Sequence, residues 1–563
     1  MSKDAEPSGK EAKESSAELV LGPLLRYVSE TEATVWVETS RACEVEVLGR
    51  KERTFEVRGH HFALVCIDGL EPGSSSEYEV TLDGDRRWPP RDYEYPPPRI
   101  RTLDPKRGID LYFGSCRIAL PHERPYTLTR DQDDDGFELD ALVVLARQMI
   151  EKGEETWPEV LLMLGDQVYV DEGSPRVREL IRSRRDPARP PGLEVSDWVE
   201  YTQLYLESWS LPEIRWLLAT VSSSMILDDH DMSDDWNISR AWKEGREATD
   251  WWHERVIAGF MTYWLYQHLG NLSPDELAEN EVFQRVREAE GDAGDIVQAY
   301  AEEADRNEEG VRWSFHRDLG RTRLIMMDSR AGRVLDEGER SMFDPPEGEW
   351  IGEMAKGDFD HLLLGTSIPL LMVHGAHYVE AWSEQVCAGK WGTFAARQCE
   401  KLRCAVDFDH WPSFMRSFDL IAETMRQVGS GEHGRAPASI VLLSGDIHHA
   451  YIAEVGFPRG SGVTASVYQA VCSPFRNPLD RKERASIRLL GSRPAHAIAR
   501  RLARLAGVED PAIRWRLTEG PYFNNQVASL RIRGREAWAK LEKTAGEDTD
   551  RYSLETSFER RIA

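Results

Sequence analysis

Apolar and polar positions alternate in one rhythm near the start of this chain and in another after it. From Glu18, short apolar or alternating runs are separated by turn residues: Leu19 to Val28, Ala33 to Thr39, Cys43 to Leu48, Thr54 to Val57, His61 to Ile67 and Tyr78 to Leu82. This pattern predicts a small all-β sandwich of the fibronectin or immunoglobulin kind over 18–104, with the Pro-rich stretch Trp88 to Pro98 as its exit linker. From Asp110 onward apolar strand runs alternate with helical stretches such as Asp140 to Lys152 and Thr249 to Leu269, the signature of an α/β layer fold over 105–480. Three insertions interrupt it: the basic Arg176 to Pro191, the acidic Pro274 to Glu309 and the aromatic-rich Tyr378 to Pro412. An Arg-rich helical region then runs to Gly507, followed by strands at Ser529 to Ile532 and around Ala537 to Leu541, so 481–563 is expected to pack back on the α/β domain. Residues 1–17 are polar and charged and predict a disordered tail.

The strand runs of the second region end in residues that carry chemistry. Leu161 to Leu164 leads into Gly165-Asp166-Gln167-Val168-Tyr169-Val170-Asp171, which puts a carboxylate and a phenol where a buried strand stops. Four further runs end alike: Gly114-Ser115-Cys116, Asp228-Asp229-His230-Asp231, Asp328-Ser329-Arg330 and Ser444-Gly445-Asp446-Ile447-His448-His449. Open α/β sheets place ligands at the carboxyl ends of their strands, so tips that share a sheet converge. The edge would hold a thiol, several carboxylates, a phenol, imidazoles and one guanidinium.

Composition narrows what such an edge can serve. A chain of 563 residues exceeds the size of one ordinary core, so more than one domain is expected. No apolar run reaches the length of a membrane span, and no secretory h-region opens the sequence, which reads as cytoplasmic unless an upstream segment is missing. The seven Cys form no CxxC pair, which argues against a disulfide framework, although Cys399 and Cys404 are close enough for one local bridge. A net charge of −28 disfavours general binding to nucleic acid or anionic lipid. An anionic substrate needs a local positive site, and metal ions held by the carboxylates would supply it.

The ordered series GSC, GDxxYxD, DDHD, DSR and GDIHH behind a small β-sandwich resembles the PhoD-like family of alkaline phosphatases, relatives of the purple acid phosphatases. The resemblance implies a four-layer metallophosphatase sandwich and hydrolysis of a small phosphate ester at a multinuclear centre, with metal-activated hydroxide attacking phosphorus. By it, Asp166 bridges two ions. Tyr169, Cys116 and His448 complete the first, a donor set that suits iron(III), and Asp446 and Asp229 hold the second, with calcium implied and manganese, magnesium or zinc as alternatives. His230 stands beside the leaving group as general acid, with Asp231 or Asp228 orienting it, and Arg330 neutralises phosphoryl oxygens or else serves as an ion-pair partner of Asp328. His449 is expected beside the centre. Asp234-Asp235 replaces a pair of Asn common in the family, adding charge or recruiting a further cation. His374 and His377 follow the place where purple acid phosphatases supply a histidine, and neither is assigned. Two other readings stay open: a phosphodiesterase on nucleotides or phospholipid-derived esters, and a catalytically silent binding or structural protein.

Overall fold

The apolar runs become stacked sheets in the computed structural model, which describes residues 16–306, 310–548 and 551–563. The expected tail lies outside the described residues except for Ser16 and Ala17, and Ala17 is already buried, its carbonyl accepting from Arg87 Nε at 2.7 Å. The amino-terminal runs form two four-stranded antiparallel sheets enclosing Val35, Val45, Val65 and Val80, as the alternation requires. The Pro-rich linker is pinned, since the Trp216 indole donates to the Pro96 carbonyl at 2.9 Å.

The second region is a four-layer α/β sandwich. One sheet orders its strands Ser222–Ile226, Val160–Leu164, Ile109–Gly114, Gln526–Arg533, Glu536–Asp548, Arg551–Arg561. The other runs Phe315–Leu319, Thr322–Met327, His361–Thr366, Ser439–Ser444, Ser466–Val471, Ala450–Gly456, Arg514–Tyr522. Val160–Leu164, buried on both faces, is apolar at every position, and successive residues feed different cores. Leu162 and Leu164 meet Leu363 and Leu443 between the sheets. Leu161 and Met163 turn outward onto helices that include Ala141–Lys152, while Leu362 and Leu364 turn outward onto Met415–Ser430. Asp140 starts the first of those helices by accepting the amides of Leu142 and Val143.

The carboxyl-terminal segment does more than pack back. Gln526–Arg533 pairs antiparallel with Ile109–Gly114, Tyr112 opposite Ser529, so the last strands complete the first sheet, and Arg514–Tyr522 completes the second. All seven thiols are free, which removes the Cys399–Cys404 bridge. Cys399 sits within Thr393–Arg403 and Cys404 just beyond it, five residues on and so about 140° around the helix, and the Cys399 thiol contacts Ser383 instead.

The β-sandwich docks firmly on the α/β domain. Buried Arg26 donates to the carbonyls of Tyr266 and Gln267 at 2.9 and 2.7 Å, and the Tyr266 hydroxyl donates to Glu38 at 2.9 Å. The acceptors lie in Tyr263–His268, where the preceding helix Trp252–Thr262 widens into a π-helical turn. That turn aims Gln267 inward, where its amide donates to Asp231 at 3.2 Å and to the Tyr205 hydroxyl at 2.9 Å.

Candidate active site

The parallel strands Ile109–Gly114, Val160–Leu164 and Ser222–Ile226 of one sheet, and Thr322–Met327, His361–Thr366 and Ser439–Ser444 of the other, end at one edge. The tips approach so closely that two glycines have no alternative. A Cβ on Gly165 would collide with Asp228, and one on Gly445 with Ser115. The residues that follow take left-handed backbone: Cys116 (φ 59°), Asp166 (53°), Asp446 (64°) and His448 (50°). Such conformations cost about 1–3 kcal/mol each in a non-glycine residue and persist where surrounding structure enforces them.

Three of those side chains point at one another, and the fourth, Asp446, turns to Asp228 and Asp229. The Cys116 thiol, an Asp166 oxygen and a His448 nitrogen lie within 4.8 Å of each other, as do ligand atoms of Asp166, Asp229 and His230, and of Asp228, Asp229 and Asp446. Asp166 belongs to two of these groups. Tyr169 joins the first, its hydroxyl 3.2 Å from Asp166 Oδ2. The donors fit a metal on a further observation: Asp166 Oδ1 and Asp228 Oδ2 are buried without a hydrogen-bond partner. Burial, reinforced by neighbouring negative charge, pushes the Asp166 carboxyl, the Cys116 thiol and the Tyr169 phenol well above their ordinary pKa values. A bound cation reverses that penalty and ionises them. Burial with His230 nearby lowers His448 to about 3, leaving a neutral imidazole suited to ligation.

His230 stacks on the Tyr169 ring, centroids 4.5 Å apart, and its Nδ1 lies 2.7 Å from Asp171 Oδ2. Burial disfavours its charged form, but Asp171 and Asp166 outweigh burial and hold its pKa well above the ordinary range. The orienting carboxylate is therefore that of Asp171, in place of Asp231 or Asp228. Asp231 is committed elsewhere: it accepts the amides of Asp166 (3.1 Å), Val168 (3.3 Å) and Asp228 (2.9 Å), tying two strand tips together. Asp228 accepts from Ser367 Oγ at 2.9 Å and from Arg330.

Arg330 is buried, with its donors turned to carboxylates. Nε donates to Asp228 at 2.5 Å, Nη1 to Asp409, and Nη2 to Asp446 at 3.2 Å, with Asp229 Oδ1 at 3.1 Å. Arg330 lines the cleft with its donors already taken up by these carboxylates, and it makes no ion pair with Asp328, the alternative the sequence suggested. Asp328 instead accepts the amides of Arg330, Ala331 and Gly332 and shapes the loop.

Two groups at the site are not among the residues the sequence motifs single out. His410 places Nε2 3.4 Å from Asp446 Oδ2 and Nδ1 3.1 Å from Glu380, and these carboxylates raise its pKa well above ordinary despite burial. Asp409 anchors Arg330 and Arg333. Both belong to the aromatic-rich insertion, where the Asp409-His410 pair beside Trp411 was the available signal. His449 lies beside the centre but donates Nδ1 to the Ile447 carbonyl at 2.7 Å, its pKa lowered by burial to about 4. Asp234 and Asp235 border the site. Burial and the charges of Asp229 and of Asp407 raise them to about 7 and about 9 respectively. His374 and His377 pack on Trp515.

A model of the PhoD-like phosphatases matches residues 143–487, more than half of the chain and most of the strand tips that build this site. The chain belongs to the PhoD-like phosphatase family. The sandwich of this PhoD-like protein, residues 16–100, matches a domain of unknown function (DUF7800). A solved structure titled "Structure of PhoD" shares the fold at 13% identity and a TM-score of 0.59, over 98% of this chain and 93% of that one. No curated protein matches the chain. Family and clustered ligands together make it a phosphatase-type hydrolase with residues for a metal centre.

Above the site lies a cleft of about 630 Å³ with two unlike walls. Asp166, Asp229, His230, Asp446 and His448 form the polar one, and Met372, Val373, Ile487 and Leu490 are among the apolar residues of the other. Among the described residues no helix is long and apolar enough to cross a membrane.

Proposed function

We propose that this protein hydrolyses phosphate esters at a multinuclear metal centre shared through Asp166. The observation that carries the reading is the buried, unpartnered Oδ1 of Asp166 between two groups of ligand atoms. Cys116, Tyr169 and His448 would hold one ion, a thiolate, phenolate and imidazole set that suits iron(III). Asp229 and Asp446, with Asp228 behind them, would hold a second through oxygen, as calcium, manganese or magnesium prefer. Bound there, such ions supply a strongly acidified water and charge neutralisation for a phosphoryl group.

The protein's own groups do the rest. His230, kept protonated by Asp171, delivers a proton from Nε2 to the departing alkoxide. Arg330 is a positioning residue that keeps Asp228, Asp229 and Asp446 pointed into the site by balancing their charge. The apolar wall holds the organic part of the ester away from water. A second reading is a phosphodiesterase, because a cleft of about 630 Å³ has room for an organic group on each side of the phosphorus.

Elemental analysis of protein purified without chelator, with a visible spectrum, is the deciding measurement. Iron near one per chain with a charge-transfer band supports the Cys116 and Tyr169 site, and protein that turns over phosphate esters fully without iron removes it. A monoester and a diester compared under one metal loading separate the two readings.

A further inference from the structure

The helices Arg481–Leu490 and Arg493–Leu505 contrast with the chain that carries them. Residues 481–506 contain eight Lys and Arg against one acid, Glu483, in a protein of net charge −28. Only part of this excess is neutralised. Arg481 donates to Asp131 at 2.7 Å, Arg484 lies 3.8 Å from Glu138, and Arg500 and Arg504 share Asp510, Arg500 Nε donating at 2.8 Å and Arg504 Nη2 at 2.6 Å. Arg493 and Arg501 are exposed, and among the described residues neither has an acidic side chain at ion-pair distance.

The second helix is two-faced. Ala499 and Ala503 are buried beside Tyr378, small residues that let this helix lie close on His374–Cys387. Ile498 and Leu505, seven residues apart and so on one side, are 70% and 69% exposed. Arg501 lies along the same side. Leu489 on the first helix is 66% exposed, and Trp391, half-exposed, donates its indole N–H to the Leu505 carbonyl at 3.4 Å. Single exposed aliphatic residues mean nothing. A row of them on a helix pair with a large basic excess is the pattern of an interfacial helix.

Three occupants compete for such a face. A second copy would set like charge against like charge. A nucleic acid would satisfy the arginines and leave Ile498, Leu505 and Leu489 in water. An anionic lipid surface satisfies both, with aliphatic groups at the acyl boundary and guanidinium groups among headgroup phosphates. The inner side of the first helix supports this orientation, because Lys482, Ser486, Ile487 and Leu490 line the cleft over the candidate active site. Docking by this face would hold the cleft beside the bilayer, since the first helix of the pair forms part of its lining.

We propose that the helix pair 481–506 docks this protein on an anionic lipid surface through Ile498, Leu505 and Leu489 together with Arg493 and Arg501. The rest of the molecule is repelled by such a surface, so the patch dictates both attachment and orientation.

The test uses the full chain and vesicles, read by co-sedimentation without turnover, so it stands or falls apart from the catalytic reading. Vesicles of phosphatidylglycerol mixed with phosphatidylcholine should bind the protein at low salt, and phosphatidylcholine alone should not. Added salt should weaken binding. The double variants I498D/L505D and R493E/R501E should each cut the bound fraction about tenfold or more, with the thermal midpoint and hydrolysis of a soluble ester unchanged. The charge-reversal pair alters only exposed positions and serves if the aliphatic pair disturbs folding. No binding to anionic vesicles, equal binding to neutral ones, or binding that survives both double variants overturns the proposal. So does a dimer broken by I498D/L505D, or capture of single-stranded nucleic acid in place of vesicles.

Discussion

The two halves of the candidate centre meet at Asp166 and handle charge in opposite ways. Around Cys116, Tyr169 and His448 the cationic side chain on hand is His230, which stacks on Tyr169 and is already engaged by Asp171, and Asp166 Oδ1 has no hydrogen-bond partner. Around Asp228, Asp229 and Asp446 it supplies Arg330 and His410, so each carboxylate has a cationic partner before any ion arrives, and the second oxygen of Asp228 is left for one. One half therefore depends on a cation for charge balance and for ionising its thiol and phenol, and the other is balanced by the fold. The contrast predicts a tightly retained ion in the first half and an exchangeable one in the second.

The largest expected effect comes from removing what the halves share. Asp166→Asn should lose metal from both, and hydrolysis should fall to the level of buffer, checked by elemental analysis and turnover together. Cys116→Ser sharpens the comparison, since it should remove the charge-transfer band and the retained ion while the second half still takes up added calcium or manganese. Loss of both ions in Cys116→Ser would show that the halves are one unit.

Arg330→Met tests the other side. It leaves buried carboxylates unpaired, a defect that costs about 3–5 kcal/mol in comparable buried pairs. The melting temperature should fall in chelator and recover in part with an added divalent cation, because the cation can replace the guanidinium charge. A loss of stability indifferent to cations would mean that Arg330 is structural only, and the comparison would break.

Much of this was legible in the sequence, for identifiable reasons. The runs Leu161 to Leu164 and Ile440 to Leu443 lie in strands buried on both faces, so they appear as unbroken apolar stretches, and the polar residues after them mark the site edge. Cys116, Asp166, Tyr169, Asp229, Asp446 and His448 all sit at such tips and come together. What escaped depends on directions that spacing does not encode. Asp171 was in plain view in the GDxxYxD run, but that it faces His230, and that Asp231 turns to backbone amides, is set by how the two tips pass each other. Asp409 and His410 come from an insertion with no strand pattern and reach Asp446 only through the tertiary fold. A strand was readable at Ser529 to Ile532, within Gln526–Arg533, yet its place beside Ile109–Gly114 follows from long-range pairing that no local alternation reveals.

His230 belongs to the half that needs a cation, and its effect on rate should be smaller than that of Asp166. His230→Ala should keep the metal and slow esters of poor leaving groups about 10²-fold, good ones much less. Equal slowing of both would remove the general-acid role. The pH dependence has a definite sign. Asp171 raises the folded-state pKa of His230, so the acid form survives above the ordinary histidine range and is lost as pH rises through the raised value. Asp171→Asn should move the alkaline limb of kcat to lower pH. Stability follows the same sign, the His230–Asp171 contribution being full below the unfolded pKa of about 6.5 and lost above the folded one.

The smallest effect probes the rim. Asp234 lines the cleft and Asp235 follows it, its amide donating to Asp229; burial and neighbouring carboxylates raise them to about 7 and about 9, so Asp234 becomes charged as pH rises through neutrality while Asp235 stays protonated longer. Asp234→Asn removes a negative charge that Asp235→Asn would remove only at alkaline pH. At pH 8, Asp234→Asn should lower KM for a dianionic ester about threefold at an unchanged kcat, since about 0.6 kcal/mol is what one partly screened repulsion is worth. Asp235→Asn should do nothing until the pH passes its own pKa. If instead Asp234→Asn raises KM, these carboxylates hold a cation that receives the phosphate. The acidic rim would then belong with the half of the centre that leaves its charge to be balanced by metal.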